Sequence, residues 1–160
     1  VIEAPGPDRF DGGLLDARGF GRHEPGARDF LTGAALCMPR AAWERVGRLD
    51  ERLFLYYEDV EWCLRARAAG FALRVEPAAT ARHESGRSTG GGKGETWAYY
   101  STRNRLWLLE RTRGRATARR EAANTSARAI RRLREPIGRA KLYGVRDWAE
   151  GRMGRGPFPR

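Results

Sequence analysis

Four breakers, Gly47, Gly70, Gly114 and Pro136, each stand at the end of a run with helical character, and they constrain this chain more than any other feature. Glycine takes the left-handed conformation that closes a helix without steric cost, and an internal proline removes a backbone donor and ends one. The run before Gly47, AAWERV, follows Pro39, whose fixed φ suits a helix start. From Asp59 to Ala69, Val60, Cys63, Leu64 and Arg67 fall at helical spacing. Acids occupy the first turn of that run and Arg65 and Arg67 come later, which is the order the helix dipole favours. Gly70 then closes it, with Phe71 as the apolar contact that accompanies such a cap. Thr96 to Arg113, carrying Trp97, Tyr100, Leu106, Trp107 and Leu108, predicts a third helix ending at Gly114. The Ala- and Arg-rich stretch from Arg115 to Glu135 predicts a fourth, broken by Pro136 ahead of a last basic segment with Tyr143 and Trp148.

Between the helices lie candidate strands. Phe30 to Met38, FLTGAALCM, is apolar enough for a buried strand, and Leu53 to Tyr57, LFLYY, reads as strand or extended chain. Phe71, Leu73 and Val75 alternate up to Pro77, which stops a strand. Residues 1–28, rich in Gly, Pro, Asp and Arg, are expected to be mostly loop. Strands alternating with helices favour an α/β layered architecture. Three or four strands fall short of the usual five or six, so the sheet is expected to be incomplete.

Charge divides the chain differently. The first hundred residues hold 14 Lys+Arg and 15 Asp+Glu, a net of −1, while the last sixty hold 17 and 5, a net of +12. A nearly neutral body therefore precedes a basic tail, whose natural partner is an anionic surface, either nucleic acid or acidic lipid headgroups. No apolar run approaches the length that spans a bilayer, and residues 1–6 carry no secretory signal pattern. Cys37 and Cys63, far apart and flanked by apolar residues, are expected to be small buried hydrophobes in a reducing, cytoplasmic setting.

The passage from Gly47 to Pro77, GRLDERLFLYYEDVEWCLRARAAGFALRVEP, carries the chemistry. Its pieces are Val46-Gly47 with Leu49-Asp50-Glu51, the aromatic run Phe54 to Tyr57, Glu58-Asp59-Val60-Glu61, Leu64-Arg65 and Ala69-Gly70-Phe71. Gly33-Ala34 with Arg40 precede them, and His83 with Ser88 and then Arg103-Asn104 follow. In this order and spacing, from about Phe30 to Trp107, the series resembles the acceptor-side signature of family 2 glycosyltransferases, in particular the bacterial rhamnosyltransferase-like group. Glu61 departs from it mildly, since the family often has Asp there.

That resemblance implies a fold, a reaction and a set of residues. The fold is α/β: a partial GT-A fold, an incomplete mixed sheet with flanking helices, over 1–114, followed by a basic α-helical tail over 115–160. The reaction is inverting transfer of a sugar from a nucleotide-diphosphate donor to a polysaccharide or lipid-linked glycan acceptor, as in cell-wall or polysaccharide biosynthesis. Inverting transfer needs a base for the acceptor hydroxyl, and Asp59 at a helix start fills that role, its ionised form favoured by the backbone N–H groups there. Glu58, Trp62 and Arg103 are the expected substrate contacts, Arg103 through paired donors to a diphosphate or anionic acceptor group. His83 is the expected ligand to a divalent metal, Mn²⁺ or Mg²⁺, which neutralises the diphosphate. On the bare pattern Asp59 is equally an N-cap, His83 a packed or loop histidine and Arg103 one surface arginine among many.

Two further expectations follow. The family's donor half carries an Asp-x-Asp pair, and none occurs in these 160 residues. The nucleotide-binding half, with most metal ligands, is therefore expected to lie outside this sequence, and the chain alone to turn over little. The segment Ser85 to Gly94 fails the phosphate-loop spacing, because Gly94 follows Lys93 where Ser or Thr is needed, and it reads as a mobile lid or a passive connector. The alternative function is a basic nucleic-acid-binding or membrane-surface module without catalysis. The tail shows no zinc-finger spacing or ribonucleoprotein motif, so no specific nucleic acid is expected, whereas a peripheral position at the inner face of the plasma membrane is.

Overall fold

A computed structural model describes residues 26–27, 30–31, 33–75 and 94–158, and within them the chain is mainly helical. The elements are β1 (Gly26–Ala27), a 3-10 turn (Gly33–Ala35), α1 (Arg40–Val46), α2 (Glu58–Ala68), β2 (Arg74–Val75), α3 (Glu95–Arg113), α4 (Arg115–Ile130) and α5 (Pro136–Ala149). The two strands, two residues each, pair antiparallel with Gly26 opposite Val75 and Ala27 opposite Arg74. The mixed sheet expected from the sequence is thus reduced, among the described residues, to this single ladder.

The helix ends lie where the breakers put them. Gly47 follows α1 at φ 84° and returns its N–H to the Trp43 carbonyl at 2.9 Å. After α2, Gly70 at φ 91° turns the chain so that the Phe71 N–H reaches the Ala66 carbonyl at 3.0 Å, the closing bond of a left-handed cap. Gly114 separates α3 from α4, and Pro136 opens α5 at its first position, where the missing N–H has no intrahelical acceptor to lose.

The strand expectations fare differently. Residues 33–35 of the FLTGAALCM run wind into the 3-10 turn, with Leu31 buried ahead of them. A short apolar run reports burial, not backbone geometry, so the same residues serve either shape. LFLYY is neither strand nor extended chain: Phe54, Tyr56 and Tyr57 are left-handed at φ 60°, 66° and 72°.

The described contacts fall into two compact units. One comprises Val1–Asp50 and Glu58–His83. Its core is Leu31, Ala42, Trp62, Cys63, Ala66 and Leu73, and α2 supplies the face that presents Trp62, Cys63 and Ala66. Arg65 ties α2 to the turn after α1: its guanidinium pairs with Glu61 at 2.8 and 2.9 Å and donates to the carbonyls of Val46 and Arg48. The Val46 carbonyl is the last of α1 and has no partner within it, and the Arg48 carbonyl lies in the turn just beyond. Cys63 is buried as expected, its thiol pushed up to about 11 by burial, and the Leu31 N–H donates to its sulfur. Cys37, expected inside, is exposed, because the buried strand expected over 30–38 does not form and the chain winds into the 3-10 turn just before it.

The other unit comprises Glu51–Tyr57 and Glu84–Arg160. In it α3 packs against both α4 and α5, which also pack on each other. Gly144 of α5 lets the two helices approach closely: a Cβ there would fall 2.7 Å from the Tyr99 carbonyl of α3. Tyr99 donates its hydroxyl to Asp147 at 2.5 Å, and Arg152 reaches the other carboxylate oxygen at 2.6 Å. Burial alone would raise Asp147, but the Tyr99 hydroxyl and the Arg152 and Arg146 guanidiniums together hold it below the usual carboxylate range. The stretch expected as one basic tail from 115 is therefore packed on α3, and the expected long helix to Glu135 ends at Ile130.

Candidate active site

Asp59 is the second residue of α2, and its carboxylate is fixed from two sides. Oδ1 accepts the Val60 N–H at 2.8 Å, and Oδ2 accepts the Gly33 N–H from the 3-10 turn at 2.7 Å. The approach of Gly33 is close enough that a Cβ on it would lie 3.3 Å from the Asp59 Cβ. Burial pushes the Asp59 carboxyl above the usual range, and the N–H groups of Gly33, Val60 and Asp59 itself pull it back only in part. The backbone donors expected from the sequence do favour the ionised form, and burial outweighs them.

Glu58, next to it, is shifted the same way. Burial raises its carboxyl, its own backbone N–H lowers it and the Asp59 charge raises it again. Its Oε2 is buried without a hydrogen-bond partner among the described residues. A buried carboxylate oxygen left without a donor costs free energy that the fold recovers only if something outside these residues satisfies it. The pair thus joins a carboxylate held rigidly by backbone to one whose second oxygen awaits a donor.

The other expected site residues take different positions. Trp62 lies in the first unit's core, 3% exposed, and donates its indole N–H to the Gly47 carbonyl at 2.7 Å. Arg103 is fully buried in the second unit. It donates to the carbonyls of Gly154 at 2.8 Å and Leu53 at 3.3 Å and to the Asn104 amide oxygen at 2.9 Å, and it lies over the rings of Tyr99 and Tyr100. Glu58 and Asp59 are therefore brought together, whereas Trp62 and Arg103 are each engaged inside a unit's framework. His83 and the Gly-rich segment 85–93 lie outside the described residues. Among the described residues no group of three or more His, Cys, Asp or Glu is placed to hold a metal ion.

Three residues matter more than their sequence signals indicated. Gly33 and Arg65 belong to the motif series but gave no sign of their partners. Asn104 sets its side-chain amide within 2.7 Å of the Leu53 carbonyl, 2.9 Å of Leu55 and 2.8 Å of Tyr56, two protons shared among three acceptors. It thereby clamps the segment in which Phe54, Tyr56 and Tyr57 are left-handed, conformations that cost on the order of 1–3 kcal/mol each. In sequence that segment runs directly into Glu58 and Asp59.

The family profile described as glycosyltransferase like family 2 matches residues 18–128. The chain belongs to that family. Among curated proteins, it is similar to N-acetylglucosaminyl-diphospho-decaprenol L-rhamnosyltransferase from two strains of Mycobacterium tuberculosis, at 34% identity over 95 residues in each case. That match covers 58% of this chain and 31% of the relative. It is also similar to the low-salt glycan biosynthesis hexosyltransferase Agl10 of Haloferax volcanii, at 36% identity over 55 residues, 34% of this chain and 18% of that one. The matches thus span less than a third of these relatives' lengths. No solved structure matches the chain significantly. As a family 2 glycosyltransferase sequence, the chain has Gly33, Glu58, Asp59 and Asn104 all within the matched region.

Proposed function

We propose that this chain supplies the acceptor-side part of an inverting glycosyltransferase of the GT-A fold, with Asp59 as the base that deprotonates the acceptor hydroxyl. The single observation that carries the proposal is the two-point backbone grip on Asp59 at Gly33 and Val60, in a chain of this family. A base must be held within hydrogen-bond reach of the proton it takes, and backbone donors fix its carboxylate without the rotamer freedom of side chains. Burial adds basicity, because a carboxylate with a raised pKa holds the transferred proton more firmly. As the acceptor oxygen bonds to the anomeric carbon, the bond from that carbon to the diphosphate oxygen breaks. The nucleoside diphosphate leaves with the electron pair, and the proton passes to Asp59.

Glu58, adjoining Asp59 at the start of α2, is assigned to orienting the acceptor. The framework position of Trp62 assigns it to holding the first unit in shape around the site, and that of Arg103 to holding the second unit. A divalent metal would neutralise the diphosphate. The described residues do not form its site, so its ligands are assigned to residues outside them, His83 among these, and no step above passes through it. The donor-binding half is assigned to sequence outside these 160 residues. By analogy with the names of the relatives, the donor is a nucleotide-activated hexose or deoxyhexose such as rhamnose, and the acceptor a lipid-linked glycan presented at the cytoplasmic face of a membrane. The basic tail, 115–160, faces that membrane.

The test is Asp59→Asn in the full-length protein. The amide keeps the shape but cannot take the proton, so transfer should fall by about 10²–10⁴-fold with thermal unfolding unchanged. Activity within a few-fold of the unaltered protein removes Asp59 as the base.

A further inference from the structure

Resting on the reading that the tail faces a membrane, we infer that the contact is not the tail as a whole but the corner between α4 and α5, residues 128–141, which seats Ile130 and Leu133 among the headgroups of an anionic lipid surface. The structure sorts the tail's large apolar residues into two groups. Trp148 is buried and donates to Glu110 at 2.9 Å, and Tyr143 packs against the core of Tyr99, Ala140 and Phe158. Ile130 and Leu133 alone among them stand out, 59% and 49% exposed.

The corner is also the most one-sided charge of the tail. Residues 128–141 include Arg128, Arg131, Arg132, Arg134, Arg139 and Lys141 against the single acid Glu135, which Arg132 pairs at 3.3 Å. Arg128 additionally reaches Glu121 at 3.0 Å. The local field registers on Lys141, lowered by burial first and then by the charges of Arg128, Arg132 and Arg105.

The corner is a fixed shape, too. Backbone N–H groups of Arg132, Leu133 and Glu135 close successive turns onto Ala129, Ile130 and Arg132, and Arg139 reaches back to the Leu133 and Arg134 carbonyls. Two exposed aliphatic side chains flanked in sequence by arginines fit a lipid interface, where apolar groups enter the acyl boundary while guanidiniums stay with the phosphates. A nucleic-acid backbone would use the arginines and leave the aliphatic pair in water.

The test uses the full 160-residue chain, co-sedimented with vesicles of neutral lipid and of neutral lipid mixed with phosphatidylserine. Three paired variants are compared: Ile130→Ser with Leu133→Ser, Arg131→Gln with Arg134→Gln, and the control Arg119→Gln with Arg120→Gln, both exposed on α4. All six positions are exposed, and circular dichroism checks that each variant keeps its helix content. Each corner arginine should contribute about fivefold in partition, so the corner arginine pair should lose about 25-fold on anionic vesicles. The Ile/Leu pair should lose about tenfold, a loss that added salt does not remove, while the control pair loses less than the corner pair. If corner and control pairs lose alike and the Ile/Leu pair binds as the original does, charge alone acts and the corner is overturned while membrane attachment stands. If the original chain ignores anionic vesicles yet binds duplex DNA with strong salt dependence, the membrane reading falls with it.

Discussion

Gly33 and Asp59 lie 26 positions apart in sequence and meet through one hydrogen bond of 2.7 Å. Neither residue signals the other. A glycine in an apolar run and an acid at a helix start are each common, and only the family series linked them to one site. What the sequence made legible was the chemical type at position 59; the backbone grip and the net effect of burial were not, because both depend on how the 3-10 turn lies against α2. Glu58 makes the residue-scale account testable. Its carboxyl is raised by burial, so the folded state binds a proton more readily than the unfolded chain does. Stability is therefore greatest below the ordinary glutamate range and is lost as pH climbs from that range through the raised value. Glu58→Gln removes this loss. Its melting temperature should exceed the original's by a few degrees at neutral pH and converge with it near pH 4, as followed by differential scanning fluorimetry. If Glu58 serves the acceptor, the same variant should raise the acceptor KM in the full-length protein.

At the scale of elements, helices were readable and the segments between them were not. Gly47, Gly70 and Gly114 end their helices for a local reason, the freedom of glycine at positive φ, and local reasons survive folding. The segment Phe54 to Tyr57 shows the converse. Aromatic residues favour strands, yet three of the four hold left-handed conformations because Asn104, about fifty residues later, captures the carbonyls around them. Sequence patterning reads no contact of that range. Asn104→Ala would leave the Leu53, Leu55 and Tyr56 carbonyls without this donor. The chain should lose about 2–4 kcal/mol, at about 1 kcal/mol or slightly more for each bond, read as a lowered urea midpoint with unchanged slope. Asn104→Asp, which offers acceptors to acceptors, should fare no better. A loss below 0.5 kcal/mol in both would show that the turn holds itself.

For the molecule as a whole, the family was legible because the motif pieces are ordered along the chain, whereas among the described residues the strand-like patterning of short apolar runs reported burial and left a single two-residue ladder. The two packing units also cut across the chain order, with Glu51–Tyr57 belonging to the helical unit although it lies between the two parts of the other. The basic tail proved to be two helices packed on α3, so most of its apolar residues are spent on a core and its charge is left outside. If Asp59 is the base, its titration governs the pH dependence of kcat/KM for sugar transfer by the full-length protein, which reports groups in the free enzyme. Transfer requires the ionised carboxylate, and burial raises its pKa, so the rate should fall with acidity at a midpoint above the ordinary aspartate range. In Asp59→Asn the residual rate should lack that acidic limb. A limb that persists in the variant at the same midpoint would assign the base to another group.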